Sequence, residues 1–182
     1  EFPYYNDLWE QMNLHSRTSM MTTPILHMGG WYDCFSEGSV NVYQDLVQQP
    51  NAGMQKIIMG PWVHGQPSDD VIGELDYPES GFDWEGLLLQ WLGHWLRGFP
   101  ASMDNLANVH YYLMGDPDAT DEMGCQWIDA DTWPPPSQIS KPYYLAQTGE
   151  LQQTPPFSSA ESNFAFDPTN PVPTRGGNNL TM

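Results

Sequence analysis

The spacing of apolar residues changes along the chain, and each change marks an element. Residues 1–22 alternate aromatic and polar positions, and Tyr4, Tyr5, Leu8, Trp9 and Met12 recur at roughly helical intervals, which predicts a short helix around Asp7–Leu14. Thr23-Pro24 interrupts this pattern. The apolar run Ile25–Met28 follows and stops at Gly29-Gly30, where backbone freedom predicts strand giving way to loop. Ser36 can cap Glu37–Gln49, in which Val40, Tyr43, Leu46 and Val47 fall on one helical face before Pro50-Asn51 ends the period. Lys56–Met59 is the next buried run, closed by Gly60-Pro61. Strand, helix and strand within about 35 residues form the βαβ unit of a parallel sheet, whose carboxyl-end loops are where ligands bind. Residues 66–82, acidic and rich in Gly and Pro, read as surface loop. From Phe82 to Arg97 a stripe of Leu87, Leu88, Trp91, Leu92 and Trp95 predicts a helix packed on the sheet, with Gly98 as its stop.

Beyond Pro100 the runs become short, aromatic and β-branched: Val109–Met114, Cys125–Ile128, Lys141–Ala146 and Asn163–Phe166. Turn clusters such as Gly115-Asp116-Pro117 and Trp133-Pro134-Pro135-Pro136 separate them, a pattern that predicts an all-β sandwich. The expected organisation is therefore α/β followed by all-β, as residues 1–99 and 100–182. The tail from Asp167 to Met182 is rich in Pro, Gly and Asn.

Composition narrows the function classes. Of 182 residues 40% are hydrophobic, with 8 Trp, 9 Tyr and 7 Phe, which is too apolar for a disordered segment. Five Lys and Arg against 23 Asp and Glu give a formal charge of −18, which repels nucleic acid and anionic membrane surfaces. Such acidity fits solubility, or a salty, periplasmic or extracellular setting. No run reaches the 18 or so apolar residues of a membrane span. Cys34 and Cys125 are too few for a disulfide scaffold and lack zinc-site spacing, so both are expected to be free.

Two residues at strand ends carry the candidate chemistry. Asp33 follows Gly29-Gly30-Trp31-Tyr32, and His64 follows Gly60-Pro61-Trp62-Val63. A carboxylate so placed can hold an imidazole tautomer, and a histidine so placed can act as general base. Spacing alone equally fits a loop Asp capping the next helix and a hydrogen-bonded loop histidine. His27 lies inside an apolar strand and reads as a core residue; His15, His94 and His110 read as structural. The carboxylates Asp69, Asp70, Glu74, Asp76 and Glu79 lack the alternation of a calcium loop. No metal or cofactor is expected. Trp31 and Trp62 flank the two candidates and are expected in the pocket.

The strings GGWYD and GPWVHG, about 30 residues apart, resemble the segments bearing the catalytic Asp and His of the cocaine-esterase-like and X-Pro dipeptidyl-peptidase-like serine hydrolases. That group also includes glutaryl acylases and α-amino acid ester hydrolases. The likeness extends to Tyr5–Trp9, to Phe82–Gly98 as the last helix of the hydrolase domain, and to Val109–Gly115, Trp127–Pro136, Tyr143–Leu145 and Phe166-Asp167-Pro168 through Pro171-Val172-Pro173-Thr174 with Gly176-Gly177 as a C-terminal jelly roll. It implies the C-terminal portion of an α/β-hydrolase domain followed by the start of a jelly-roll sandwich. Asp33 would orient His64, and His64 would activate a serine in a Gly-x-Ser-Tyr-x-Gly elbow. No Gly-x-Ser-x-Gly string occurs here, so the nucleophile-bearing remainder of the same hydrolase is the expected partner, and the chain alone is expected to be inactive. The substrate would be a small-molecule or peptide acyl compound. Phe35 and Ser36 stand where the amino acid ester hydrolases carry acidic residues, which favours an apolar or aromatic acyl group walled by Trp31, Tyr32, Phe35 and Trp62. A Trp-rich chain apart from its other half is expected to self-associate, leaving a homo-oligomer open. The alternatives are a carbohydrate- or protein-binding β-sandwich module and an inactive hydrolase relative.

Overall fold

In chain order the α-helices and strands among the described residues are α1 (Asp7–Met12), β1 (Ile25–Gly30), α2 (Ser36–Val47), β2 (Gln55–Gly60), β3 (Val71–Ile72), β4 (Leu75–Asp76), α3 (Trp84–Arg97), β5 (Val109–Leu113), β6 (Gln126–Ala130), β7 (Tyr144–Leu145) and β8 (Leu151–Gln152), with short 3-10 helices at His15–Met20 and Met103–Asn105. They come from a computed structural model that describes residues 4–65, 67, 69–100, 103–118, 124–159 and 161–172. The chain divides into two compact units, the first running to Trp133 and the second beginning at Pro134.

The first unit is built on a four-stranded sheet in the order β1-β2-β5-β6. β1, β2 and β5 run parallel, Ile25 opposite Gln55 and Ile57 opposite Val109, and β6 returns antiparallel with Tyr111 opposite Ile128. β2 is central, and every one of its residues is buried. Its side chains alternate between two clusters, as the pleat requires. Ile58 joins Trp62, Val63, Ile72, Tyr77 and Tyr112 on one face, while Ile57 and Met59 meet Tyr43 of α2 and Val109 on the other. Each such side chain contributes about 1.5–3 kcal/mol by leaving water.

Several expectations change here. The runs Val109–Met114 and Cys125–Ile128, read as the opening of a sandwich, fall in β5 and β6, which extend the first sheet instead, because β5 pairs parallel with β2 and β6 antiparallel with β5. The division between units accordingly falls after Trp133 rather than near residue 100. Gly29-Gly30 is strand, not loop, and neither glycine has a positive φ. Ser36 lies inside α2, whose cap position is Phe35. Residues 67–82 are not a plain surface loop, since they contain the β3–β4 hairpin and bury Ile72, Tyr77 and Ser80. Asp83 caps α3 by accepting Gly86 N–H at 2.9 Å, and Gly98 ends it at φ 67°. Trp91 of that helix is buried and Leu87 packs on the core, yet Leu89, Leu92, Trp95 and Leu96 remain exposed. The helix has apolar residues on more faces than the sheet can cover.

The second unit, among the described residues, has β7 and β8 as an antiparallel ribbon turning at Gly149, φ 84°. Lys141–Ala146 keeps only two strand residues, and Asn163–Phe166 forms none, leaving Phe164 and Phe166 exposed. Pro173, Thr174, Gly176 and Gly177 lie outside the described residues.

His27 is buried, and Gln55 fixes its protonation. Gln55 Nε2 donates to Thr23 O (3.1 Å) and Gly53 O (3.0 Å), so its Oε1 must accept from His27 Nε2–H at 2.9 Å. Burial lowers the His27 pKa, and the bond to Gln55 opposes this only in part. Above the unfolded value of about 6.5 both states are neutral, and below it the unfolded chain binds a proton that the fold resists. Stability is therefore expected to fall as pH drops below about 6.5, and His27→Gln should lessen that fall in urea denaturation at about pH 7.5 and 5.5.

Candidate active site

β1 and β2 deliver Asp33 and His64 to the same end of the sheet. Trp31 N–H donates to Gly60 O at 2.8 Å, continuing the ladder one step past the strands, and Tyr32 N–H then reaches Trp62 O at 3.1 Å. A further bond, Asp33 N–H to Gly30 O at 3.0 Å, turns the chain. The approach at this point is close enough that a Cβ on Gly30 would lie 2.0 Å from Trp62 O, and one on Gly60 would lie 2.3 Å from the Trp62 indole. Glycine is required at both positions for close contact rather than for an unusual φ.

Asp33 is buried, and both of its oxygens are engaged. Oδ1 accepts Phe35 N–H at 2.8 Å, and Oδ2 lies 3.0 Å from His64 Nδ1. The His64 side chain is 50% exposed against 10% for Asp33, so the imidazole stands between a buried carboxylate and solvent. With Asp33 ionised, Nδ1 carries the proton and Nε2 is left basic. Among the described residues Nε2 has no hydrogen-bond partner. An acid, an oriented imidazole and a basic outer nitrogen can together take a proton from a hydroxyl placed against Nε2.

A cavity of about 280 Å³ opens beside the pair, lined by Met28, Gly29, Gly30, Asp33, Trp62, Val63, His64, Gly65, Pro67 and Trp84. Of the four expected wall residues, Trp62 lines it. Phe35 meets the His64 ring edge-on at 5.1 Å but is not among its lining residues. Trp31 and Tyr32 are not there at all. The Trp31 indole donates to Tyr112 O at 2.9 Å and packs on Trp133, while Tyr32 bonds the Tyr77 hydroxyl at 2.7 Å. Successive residues leaving a strand point to opposite faces, so both rings pass into the core clusters on either side of the sheet. Trp84 was missed because it opens a helix that sequence pattern assigns wholly to packing.

The remaining histidines lie elsewhere. His15 Nδ1 meets Asp45 at 2.7 Å, and His110 Nδ1 meets Asp129 at 2.6 Å while its ring stacks on Trp127. Among the described residues no group of three or more His, Cys, Asp or Glu could hold a metal ion. Both cysteines are free, Cys34 exposed beside Asp33.

The family model of the X-Pro dipeptidyl-peptidases (S15 family) matches residues 1–66, the stretch that contains Asp33, His64 and the turns that join them. The match covers about a third of the chain, and over that stretch the chain is similar to this family. The chain is also similar to the cocaine esterase of Rhodococcus sp. (strain MB1 Bresler), 26% identical over 97% of this chain and 31% of the esterase. A Mycobacterium bovis protein provisionally named a serine esterase is 28% identical over 80% of this chain and 21% of its own length. Among solved structures, an aminopeptidase from a marine sediment Thaumarchaeota archaeon superposes with a TM-score of 0.67 at 26% identity, covering 94% of this chain and 28% of that one. The chain thus spans less than a third of the length of these relatives.

Proposed function

We propose that this chain supplies the acid and the general base of a serine hydrolase of the α/β-hydrolase type, which cleaves an acyl ester or amide. The observation that carries the reading is the 3.0 Å contact between His64 Nδ1 and the buried Asp33 carboxylate, at the carboxyl ends of adjacent parallel strands. A serine hydroxyl, contributed by residues outside these 182, attacks the acyl carbonyl carbon and gives its proton to His64 Nε2. Asp33 stabilises the resulting imidazolium. Collapse of the tetrahedral intermediate releases an alcohol or amine that takes this proton from Nε2. Water then repeats the sequence on the acyl-enzyme, freeing the acid and restoring the serine. Without the serine the chain has no nucleophile for His64 to activate, so these residues alone are inactive.

The partner in this reading is the nucleophile-bearing remainder of the same hydrolase, and β1 offers it an edge. Ile25 N–H donates to Met54 O and Trp31 N–H to Gly60 O, so the odd-numbered amides of β1 face β2. Alternation turns the amides of Leu26 and Met28 to the opposite edge, where the described residues place no strand. An open, apolar parallel edge is suited to pairing with a further strand. The uncovered Leu89 and Leu96 of α3, 72% and 77% exposed, offer an apolar face as well.

The test is covalent labelling of the full-length protein with a fluorophosphonate probe. Labelling is expected, and it should fall with hydrolysis of an activated ester when His64 is replaced by alanine. Undiminished labelling and turnover in that variant overturn the reading.

A further inference from the structure

Three consecutive backbone carbonyls downstream of His64 each accept a hydrogen bond from an aromatic side chain. The Tyr112 hydroxyl donates to Pro78 O at 2.6 Å, Trp127 Nε1–H to Glu79 O at 2.9 Å, and Trp62 Nε1–H to Ser80 O at 3.1 Å. Glu79 holds φ 57°, a left-handed conformation that a non-glycine residue keeps only when its surroundings impose it. Asp70 adds a fourth tie, since its Oδ1 accepts from Ser80 Oγ at 3.3 Å and from Gly81 N–H. The donors come from β5, β6 and the segment just before His64, so one short stretch is fastened by three separate parts of the first unit.

The fastened stretch leads back to the site. Phe82 N–H donates to Pro67 O at 3.0 Å, and Trp84 follows as a cavity wall. His64 therefore lies between two gripped residues, Trp62 and Pro67. At Trp62 the grips are Ser80 O on the indole and Tyr32 N–H on the carbonyl; at Pro67 the grip is Phe82. The two outer anchors are fixed in turn, because the Tyr112 ring meets Tyr77 and Trp127 edge-on at 6.1 and 5.4 Å, and Trp127 stacks on His110 at 4.4 Å.

We infer that Tyr112 and Trp127 are positioning residues for the acid–base pair: through the carbonyls of Pro78 and Glu79 they hold the returning loop, and through that loop they keep His64 Nδ1 on Asp33. The inference rests on the reading of Asp33 and His64 as a catalytic pair. Neither residue lines the cavity; their hydrogen bonds reach it through the loop, and Trp127 also packs on the cavity wall at Trp62, 5.7 Å between ring centroids.

The test uses the full-length hydrolase with Tyr112→Phe and Trp127→Phe made separately, since each removes one donor and retains an aromatic ring. Each is expected to lower kcat about tenfold with KM changed less than about twofold, because a small misplacement of the base weakens transfer more than binding. The acid limb of the kcat/KM profile should also move to lower pH, because a loosened Asp33 stabilises the imidazolium less. A purely structural role would lower thermal stability and leave that limb in place. Either variant alone decides the matter if the other does not fold. Wild-type kcat and an unmoved acid limb, with His64→Ala inactive, overturn the positioning role and leave the pair's role intact. Turnover that survives His64→Ala overturns both.

Discussion

On the proposed reading, Asp33→Asn in the full-length protein is expected to lower kcat on the order of 10⁴-fold with little change in KM, and His64→Ala about 10⁶-fold. The contacts of Asp33 decide how the amide would sit. Phe35 N–H needs an acceptor and finds Oδ1 at 2.8 Å, so the single oxygen of the substituted side chain is drawn there. The amide NH₂ then faces His64 Nδ1, 3.0 Å from the atom it replaces. Facing a donor, Nδ1 must act as acceptor, the ring proton moves to Nε2, and the base can no longer take a proton from a hydroxyl. The pair would look unchanged in structure and be wrong in tautomer. Steady-state ester hydrolysis measures the effect, and urea denaturation checks that stability is retained. Turnover by Asp33→Asn within about tenfold of wild-type kcat would show that Asp33 does not set the tautomer.

The closeness of Asp33 and His64 was readable from local pattern, whereas their reading as acid and base came from the resemblance of GGWYD and GPWVHG, since spacing alone fitted a helix-capping Asp and a loop histidine equally well. An apolar run, a one-faced helix and a second apolar run specify β1, α2 and β2, and parallel strands in register must bring their carboxyl ends together. What was not readable depends on contacts distant in sequence. Glycine at 29 and 30 signals freedom or closeness with the same missing Cβ, and only the position of Trp62 O shows which applies. The alternation in Val109–Leu113 identifies a strand but not its neighbour, so its place beside β2 waited on the fold. Trp31 and Tyr32 adjoin Asp33 in sequence yet leave the strand end toward the core. The acidic composition of residues 66–82 conceals an anchored loop, since its fastening comes from Trp62, Tyr112 and Trp127, 18 to 48 positions away from their acceptors. Local composition describes solvent preference, whereas this loop is held by donors on other elements.

Gly30→Ala is the second change expected to have a large effect, and it separates closeness from flexibility as the reason for the glycine. Its φ lies outside the left-handed region, so alanine can adopt the backbone conformation without strain. The added methyl, however, would stand 2.0 Å from Trp62 O and 2.6 Å from Trp62 C, which are backbone atoms that cannot rotate away. β1 and the segment after β2 must part, stretching the bond from Tyr32 N–H to Trp62 O and with it the contact between Asp33 and His64. Overpacking of this kind costs about 1–3 kcal/mol, and the loss of the acid–base contact should remove most turnover. Gly38 provides the opposite case in the same molecule. It lies in α2, and a Cβ there meets nothing within 4 Å, so Gly38→Ala should stabilise the chain by about 0.5–1 kcal/mol through helix propensity. Chemical denaturation of the two variants checks both signs. If Gly30→Ala matched the wild type in midpoint and in turnover, the close approach of the two strand ends would not be what brings Asp33 to His64.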